Sequence, residues 1–143
     1  MKNVFPFLLS LLYCLIFSLA MQADSSHLLP YPQKFVPSGK EFNANIVRIS
    51  SPVLQNEWEA FVKERGGKVK EQANTLIEVK LVAAIENAAL NQEEAYRLIV
   101  APNKITVEAV TERGVYWAMQ TLAQLQHSRK KGLSFEGCTI TDW

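Results

Sequence analysis

Apolar residues recur along this chain with two different periods. Ile77, Val79 and Leu81 alternate with Leu76, Glu78 and Lys80 over residues 75–81, the spacing of a strand with one covered face. Tyr96, Leu98 and Val100 alternate in the same way. Pro102-Asn103 then supplies a turn, and Ile105, Val107 and Ala109 alternate back, which predicts a hairpin within residues 92–110. Residues 45–50, carrying Ile46, Val47 and Ile49, and residues 133–141 predict two further strands.

Two stretches switch to the helical period. Leu54, Trp58, Phe61 and Val62 fall on one stripe, preceded by Ser51-Pro52 as a hydroxyl cap and first helical residue, and stopped by Gly66-Gly67. Residues 111–126 place Val115, Ala118, Met119, Leu122 and Leu125 on one face. Helices of this length do not persist alone in water, so both require a sheet to pack on. The order β, α, β, β, β, α, β contains a tight hairpin and predicts an α+β domain: a small mixed or antiparallel sheet with both helices on one face.

The two ends read differently. Residues 1–23 have Lys2, an apolar run from Val4 to Leu19, and small residues at Ala20 and Ala23, the layout of a secretory signal peptide. A membrane anchor is the competing reading, but no cluster of Lys or Arg follows the run to stop transfer. The expectation is therefore an exported protein, periplasmic or extracellular, whose mature domain is residues 24–143 and which keeps no membrane segment after cleavage. Residues 28–42, LLPYPQKFVPSGKEF, are dense in proline and predict extended structure, with a short hairpin about Pro37-Ser38-Gly39. At the other end, FEGCTITDW leaves Trp143 with nothing after it to bury its ring. That ending predicts the front part of a longer protein.

Charge and cysteine content narrow the chemistry. The chain has 15 basic and 14 acidic residues, and loss of Lys2 with the signal balances them. No field exists to draw in nucleic acid, and the short run His127, Arg129, Lys130, Lys131 reads as a solvated helix end. Cys14 leaves with the signal and Cys138 remains alone, which rules out an intrachain disulfide in the mature chain. Beside Gly137 and a β-branched run, Cys138 reads as a small buried strand residue rather than a nucleophile.

Catalytic constellations are scarce. His27 and His127 belong to no HExxH pair or His/Cys cluster, and neither GxSxG nor GxxxxGK[ST] occurs, so no metal, cofactor or catalytic residue is assigned. Among the carboxylates, Asp24 lies by the cleavage site, Asp142 one residue from the end, and Glu93-Glu94 in a loop before a strand. A glycosidase holds carboxyl groups on opposite sides of one bond, and one sheet with one helical layer offers few clefts for that.

Three stretches together resemble one family. The proline-rich opening at 28–42, the stretch EEAYRLIVAPNKITVEAVTERGVYWAMQTLAQLQ at 93–126 and the strand GCTITDW are similar to the bacterial-type N-terminal domain of β-N-acetylhexosaminidases, glycoside hydrolase family 20. The match covers about residues 28–143, and the helix with Gly114 and Gln120-Thr121-Leu122 is its most specific part. The resemblance implies a non-catalytic, zincin-like α+β sandwich without zinc, followed in the family by a catalytic barrel. Family members remove terminal N-acetylglucosamine or N-acetylgalactosamine with an adjacent Asp-Glu pair, the Glu as general acid and the Asp orienting the attacking acetamido group of the substrate. No Asp-Glu dipeptide occurs in these 143 residues, so no catalytic residue is carried over.

The expected role is thus support of a barrel C-terminal to Trp143, glycan being met only through that barrel, with Gly114 admitting a neighbouring backbone and Trp117 and Met119 filling space beside the sheet. Two alternatives share the fold: a free-standing exported module that binds glycan or protein, drawing on Trp58, Trp117 and Trp143, and the N-terminal domain of another glycosidase.

Overall fold

A computed structural model describes residues 28–88, 90–126 and 132–143. The expected signal peptide, Asp24, His27, His127 and the basic run 129–131 lie outside the described residues. Seven strands and two helices are present among those described. In chain order they are β1 (Lys34–Asn43), β2 (Ile46–Ser50), α1 (Gln55–Glu64), β3 (Lys68–Val69), β4 (Thr75–Leu81), β5 (Tyr96–Ala101), β6 (Lys104–Ala109), α2 (Glu112–Leu125) and β7 (Ser134–Asp142).

The strands form one mixed sheet in the order β1-β7-β5-β6-β4-β2-β3. Its β1-β7-β5-β6 half is antiparallel, and β6, β4, β2 and β3 run parallel to one another. The β5–β6 hairpin turns at Pro102-Asn103 as the alternation requires, with Asn103 in the left-handed region (φ 63°) that asparagine tolerates. Parallel pairing enters through α1, which carries the chain from the end of β2 back to the sheet so that β4 can pair alongside β2.

Both helices pack on the same face and share one core. Trp58, Phe61 and Val62 of α1 and Val115, Ala118, Leu122 and Leu125 of α2 join the inward residues of the strands, among them Val47, Ile77, Leu98, Ile105 and Ile140. Each large side chain buried this way contributes about 1.5–3 kcal/mol. The opposite face of the sheet carries no helix and alternates to polar residues. There the Lys104 and Lys80 ammonium groups both reach Glu78 Oε2, at 2.9 and 3.0 Å.

The helix α2 begins as its sequence predicts. Thr111 is its cap, accepting a hydrogen bond from the Gly114 amide at 3.4 Å. Gly114 itself admits the chain before β5: a methyl group built on it would stand 2.5 Å from the Ala95 carbonyl oxygen and 3.0 Å from Ala109 Cβ.

Four expectations are corrected. The hairpin at Pro37-Ser38-Gly39 does not form. Residues 34–43 are one long strand, and the register against β7 slips between Pro37 and Glu41. Both arms find the same partner strand, so Ser38, Gly39 and Lys40 bulge out of the ladder rather than reversing the chain. Gly137 lies under that bulge, where a methyl group would collide with the Ser38 hydroxyl.

The helix start is also later than Ser51-Pro52. Residue Leu54, in the left-handed region at φ 55°, precedes α1, and its carbonyl accepts the Trp58 amide at 3.0 Å. Ser51 instead turns its hydroxyl onto the Val53 carbonyl, which closes a local turn ahead of the helix. The short strand β3 was not expected, since two residues are too few to show a period. Finally, Trp117 does not fill space beside the sheet. It stands 43% exposed on the outer side of α2, edge-on to Tyr116 at 5.5 Å, while Met119 is buried.

Candidate functional site

The loop between β4 and β5 and the end of β7 meet at one corner of the domain, and Trp143 sits where they meet. The described residues of the loop form no helix or strand and are held by side chains instead. The Gln92 carboxamide pairs with residue 85 as a strand would, accepting from the Ile85 amide and donating to the Ile85 carbonyl, each at 2.9 Å. This folds Ile85, Ala88 and Ala95 into a small second core, against which Val82, Val110 and Trp143 pack. The indole of Trp143 is thereby half-covered, and cavities open on both sides of it.

On the helix side lies a cleft of about 220 Å³ between the chain opening and α2. Leu29, Pro30, Trp117 and Trp143 line it. Gln124 of α2 fixes the opening segment by a second two-point contact, accepting from the Leu29 amide at 2.8 Å and donating to the Leu29 carbonyl at 3.1 Å. Asp142 accepts from the Gln33 amide at 3.2 Å and so ties the same segment to the end of β7. At the base of the cleft the Tyr96 hydroxyl and Thr121 Oγ1 are 2.6 Å apart. Burial drives the Tyr96 ionisation well above the ordinary phenol range, so the hydroxyl is neutral and serves as a structural partner.

On the bare face of the sheet lies a cavity of about 200 Å³, roofed by the β4–β5 loop and closed at one end by Trp143. Arg97, Glu108 and Lys34 rise from its floor.

The remaining residues singled out from sequence fall into structural places. Trp58 is fully buried and is a core residue. Cys138 is buried too, and burial, with the Glu136 carboxylate nearby, pushes its thiol up to about 12, far from the thiolate a nucleophile needs. Glu93 and Glu94 face the Arg113 guanidinium, at 3.8 and 3.5 Å, on an exposed surface at the start of α2. Among the described residues no three His, Cys, Asp or Glu side chains gather where they could hold a metal ion, and no helix is long and apolar enough to cross a membrane.

The two glutamine clamps, Gln92 and Gln124, had no signature in the sequence. A carboxamide imitates a peptide group, and its partners lie 7 and 95 positions away.

With the fold in place, the chain can be set beside known proteins. Residues 25–143 match the model of glycosyl hydrolase family 20, domain 2. The chain belongs to this family. No curated protein matches it. Among solved structures it is similar to the β-N-acetylhexosaminidase of Bacteroides fragilis NCTC 9343, with a TM-score of 0.61 and 21% identity over 80% of this chain and 24% of that one. It is similar to the family 20 exo-β-N-acetylglucosaminidase of Vibrio harveyi, with a TM-score of 0.62 and 21% identity over 87% of this chain and 20% of that one. Flavobacterium johnsoniae chitobiase gives a TM-score of 0.59 and 24% identity over 85% and 21%. At these identities the likeness is one of fold. The family 20 domain thus spans a quarter or less of the length of these three relatives.

Proposed function

We propose that this family 20 domain is the exported, non-catalytic N-terminal domain of a β-N-acetylhexosaminidase, and that its work is to support a catalytic barrel that follows Trp143. The carrying observation is the family match over residues 25–143, set against relatives of which the match covers only 24% and 20%. In this reading the enzyme as a whole removes terminal N-acetylglucosamine or N-acetylgalactosamine from glycans, and the Asp-Glu pair that this chemistry uses is supplied by the barrel. The residues on this chain have a positioning role. Asp142, bonded to the Gln33 amide, and Trp143, packed on the second core, hold the end of β7 in a fixed place from which a following domain is launched.

The surface for that domain is the helix side. Leu29, Tyr116 and Trp117 are 76%, 48% and 43% exposed there, a grouping of large apolar side chains left open among the described residues. The balanced charge of the mature sequence agrees with a domain that meets protein and not nucleic acid.

The test is to read the coding DNA past codon 143. Continuation in frame into a barrel with an Asp-Glu pair is the expected result. A stop codon with a stable short product in the host would overturn the proposal. On either outcome, the 143-residue chain is expected to leave a chromogenic N-acetylglucosaminide uncleaved, and sustained turnover by it would contradict the supporting role.

A further inference from the structure

The mature sequence is balanced in charge, yet the fold sorts its charges by face. A strand residue that alternates with buried positions points to the bare face of the sheet. Arg48 follows buried Val47, Lys80 follows buried Val79, and Arg97 and Lys104 precede buried Leu98 and Ile105. Lys34 pairs in register with Thr141, the neighbour of buried Ile140, and Lys68 pairs with Ile46, the neighbour of Val47. Every strand except β7 thus places an exposed cation on this face.

Carboxylates are fewer there. Glu78 and Glu108 stand among the cations, Glu86 reaches the edge from the β4–β5 loop, and Glu41 and Glu136 pair at the far end of β1 and β7, beyond the slip in register. Most of the others lie away from the sheet: Glu57, Glu59 and Glu64 on α1, Glu112 on α2, Glu93 and Glu94 ahead of β5. Lys80 and Lys104 share Glu78. Lys34, Arg48, Lys68 and Arg97 make no ion pair or side-chain hydrogen bond among the described residues.

The cations spread in two directions. Lys34, Thr141, Arg97, Glu108 and Lys80 form one row across the strands, and Lys104, Leu76 and Arg48 form another, four residues back along β4. Strand geometry separates such rows by about 13 Å and spreads seven strands over about 29 Å. The row between them, Val36, Thr139, Ile99 and Thr106, is uncharged until it reaches Glu78. Val36 at one edge and Ile46 at the other are exposed aliphatic side chains.

We propose that the bare face is a docking surface for an anionic lipid surface, on which the domain lies peripherally. Charge complementarity selects an anionic partner, and the spread of the cations selects a broad one. A single phosphate or carboxylate would need cations gathered at one point, and the point where two ammonium groups converge is already filled by Glu78. A linear polymer follows one line, whereas these cations occupy separate rows. An array of headgroups meets the rows together, each Lys or Arg adding an attraction that acts within a Debye length. Val36 and Ile46 give the same surface apolar contact at its two edges. The helices lie on the other side of the sheet, so a domain docked there leaves this face open, and the proposal does not rest on the supporting role above.

The test is co-sedimentation of residues 24–143, which hold both cores, with vesicles of equal parts phosphatidylcholine and phosphatidylglycerol, and with phosphatidylcholine alone. Residues 1–23 are left off because an apolar run binds bilayers of any charge. The expected result is binding to the anionic vesicles only, weakening as salt is raised. Arg48→Glu combined with Arg97→Glu should weaken it at least tenfold, and the milder Arg48→Ala and Lys68→Ala several-fold each, with circular dichroism unchanged. Lys63→Glu, the same change of charge on α1, should leave it intact. Soluble polyphosphate at equal anionic charge should bind at least tenfold more weakly than the vesicles. Absence of binding, equal binding to neutral vesicles, indifference to salt or to the bare-face variants, loss in Lys63→Glu, or polyphosphate binding as tight as the vesicles would each overturn the assignment.

Discussion

Replacing Gly114 by alanine sets two effects of known sign against each other. In the first turn of α2, alanine is the better helix former, and the change contributes about 1 kcal/mol toward stability on propensity alone. The new methyl would stand 2.5 Å from the Ala95 carbonyl oxygen and 3.0 Å from Ala109 Cβ, both well inside van der Waals contact. Neither neighbour is the free end of a flexible side chain. Ala95 is fully buried at the head of β5 and is part of the small core under Trp143, and Ala109 is fully buried at the end of β6. Relief therefore requires α2 to lift from the sheet or the β4–β5 loop to shift. Overpacking of this kind costs about 1–3 kcal/mol, and an overlap with backbone belongs in the upper part of that range. The balance is a net loss of about 1–2 kcal/mol for Gly114→Ala, which for a domain of this size lowers the melting temperature by roughly 3–10 °C. Gly114→Val adds bulk and gives up part of the propensity gain, so its loss should be larger. Urea unfolding followed by circular dichroism, with tryptophan fluorescence in parallel, gives both numbers. A Gly114→Ala protein as stable as the parent would mean that α2 does not approach Ala95 this closely, and the packing argument would fail.

Two further outcomes follow from the ionisable groups. The Cys138 thiol, raised to about 12 by burial, should resist iodoacetamide at pH 8 in the folded protein and react fully in urea; rapid labelling of the native chain would show that β7 opens there. Hydrogen bonds from Lys104 and then Lys80 hold the Glu78 carboxyl below its usual value of 4.5. A folded-state value below the unfolded one means that its stabilisation is present above about pH 4.5 and is lost as pH falls through the depressed value. The stability gap between the parent and Glu78→Gln should therefore narrow on acidification through that window, and a gap unchanged down to pH 3 would remove Glu78 from the acid response.

The elements legible from sequence were those whose residues repeat their environment. Ile77 and Val79, or Leu98 and Val100, each see the same buried face every second position, and the α2 stripe sees it every third or fourth. Local chemistry was legible where it was self-contained, as with the Pro102-Asn103 turn. It misled where a distant partner competed. Ser51 has the look of a cap but closes a turn on Val53, and Pro37-Ser38-Gly39 has the look of a hairpin but is overruled by β7, which holds both flanks at once. Trp117 reads as a packing residue by type, yet its angular position on α2 points it outward.

What the sequence by itself determined is the α+β class, the two helices, the five strands with a visible period and the family resemblance, because each depends on periodicity or on residues close together in the chain. The site was decided only by the tertiary structure. Lys34, Arg97, Glu108 and Thr141 are scattered over more than 100 positions, and no local signal connects them; the register of β1, β7, β5 and β6 sets them in one row. The Gln92 and Gln124 clamps are of the same kind, since a carboxamide can stand in for a peptide group only where folding brings an unpaired one within 3 Å or so. Sheet register is a global property, fixed when every strand buries its apolar face at once. That is why the strands could be read one by one while the surface they build together could not.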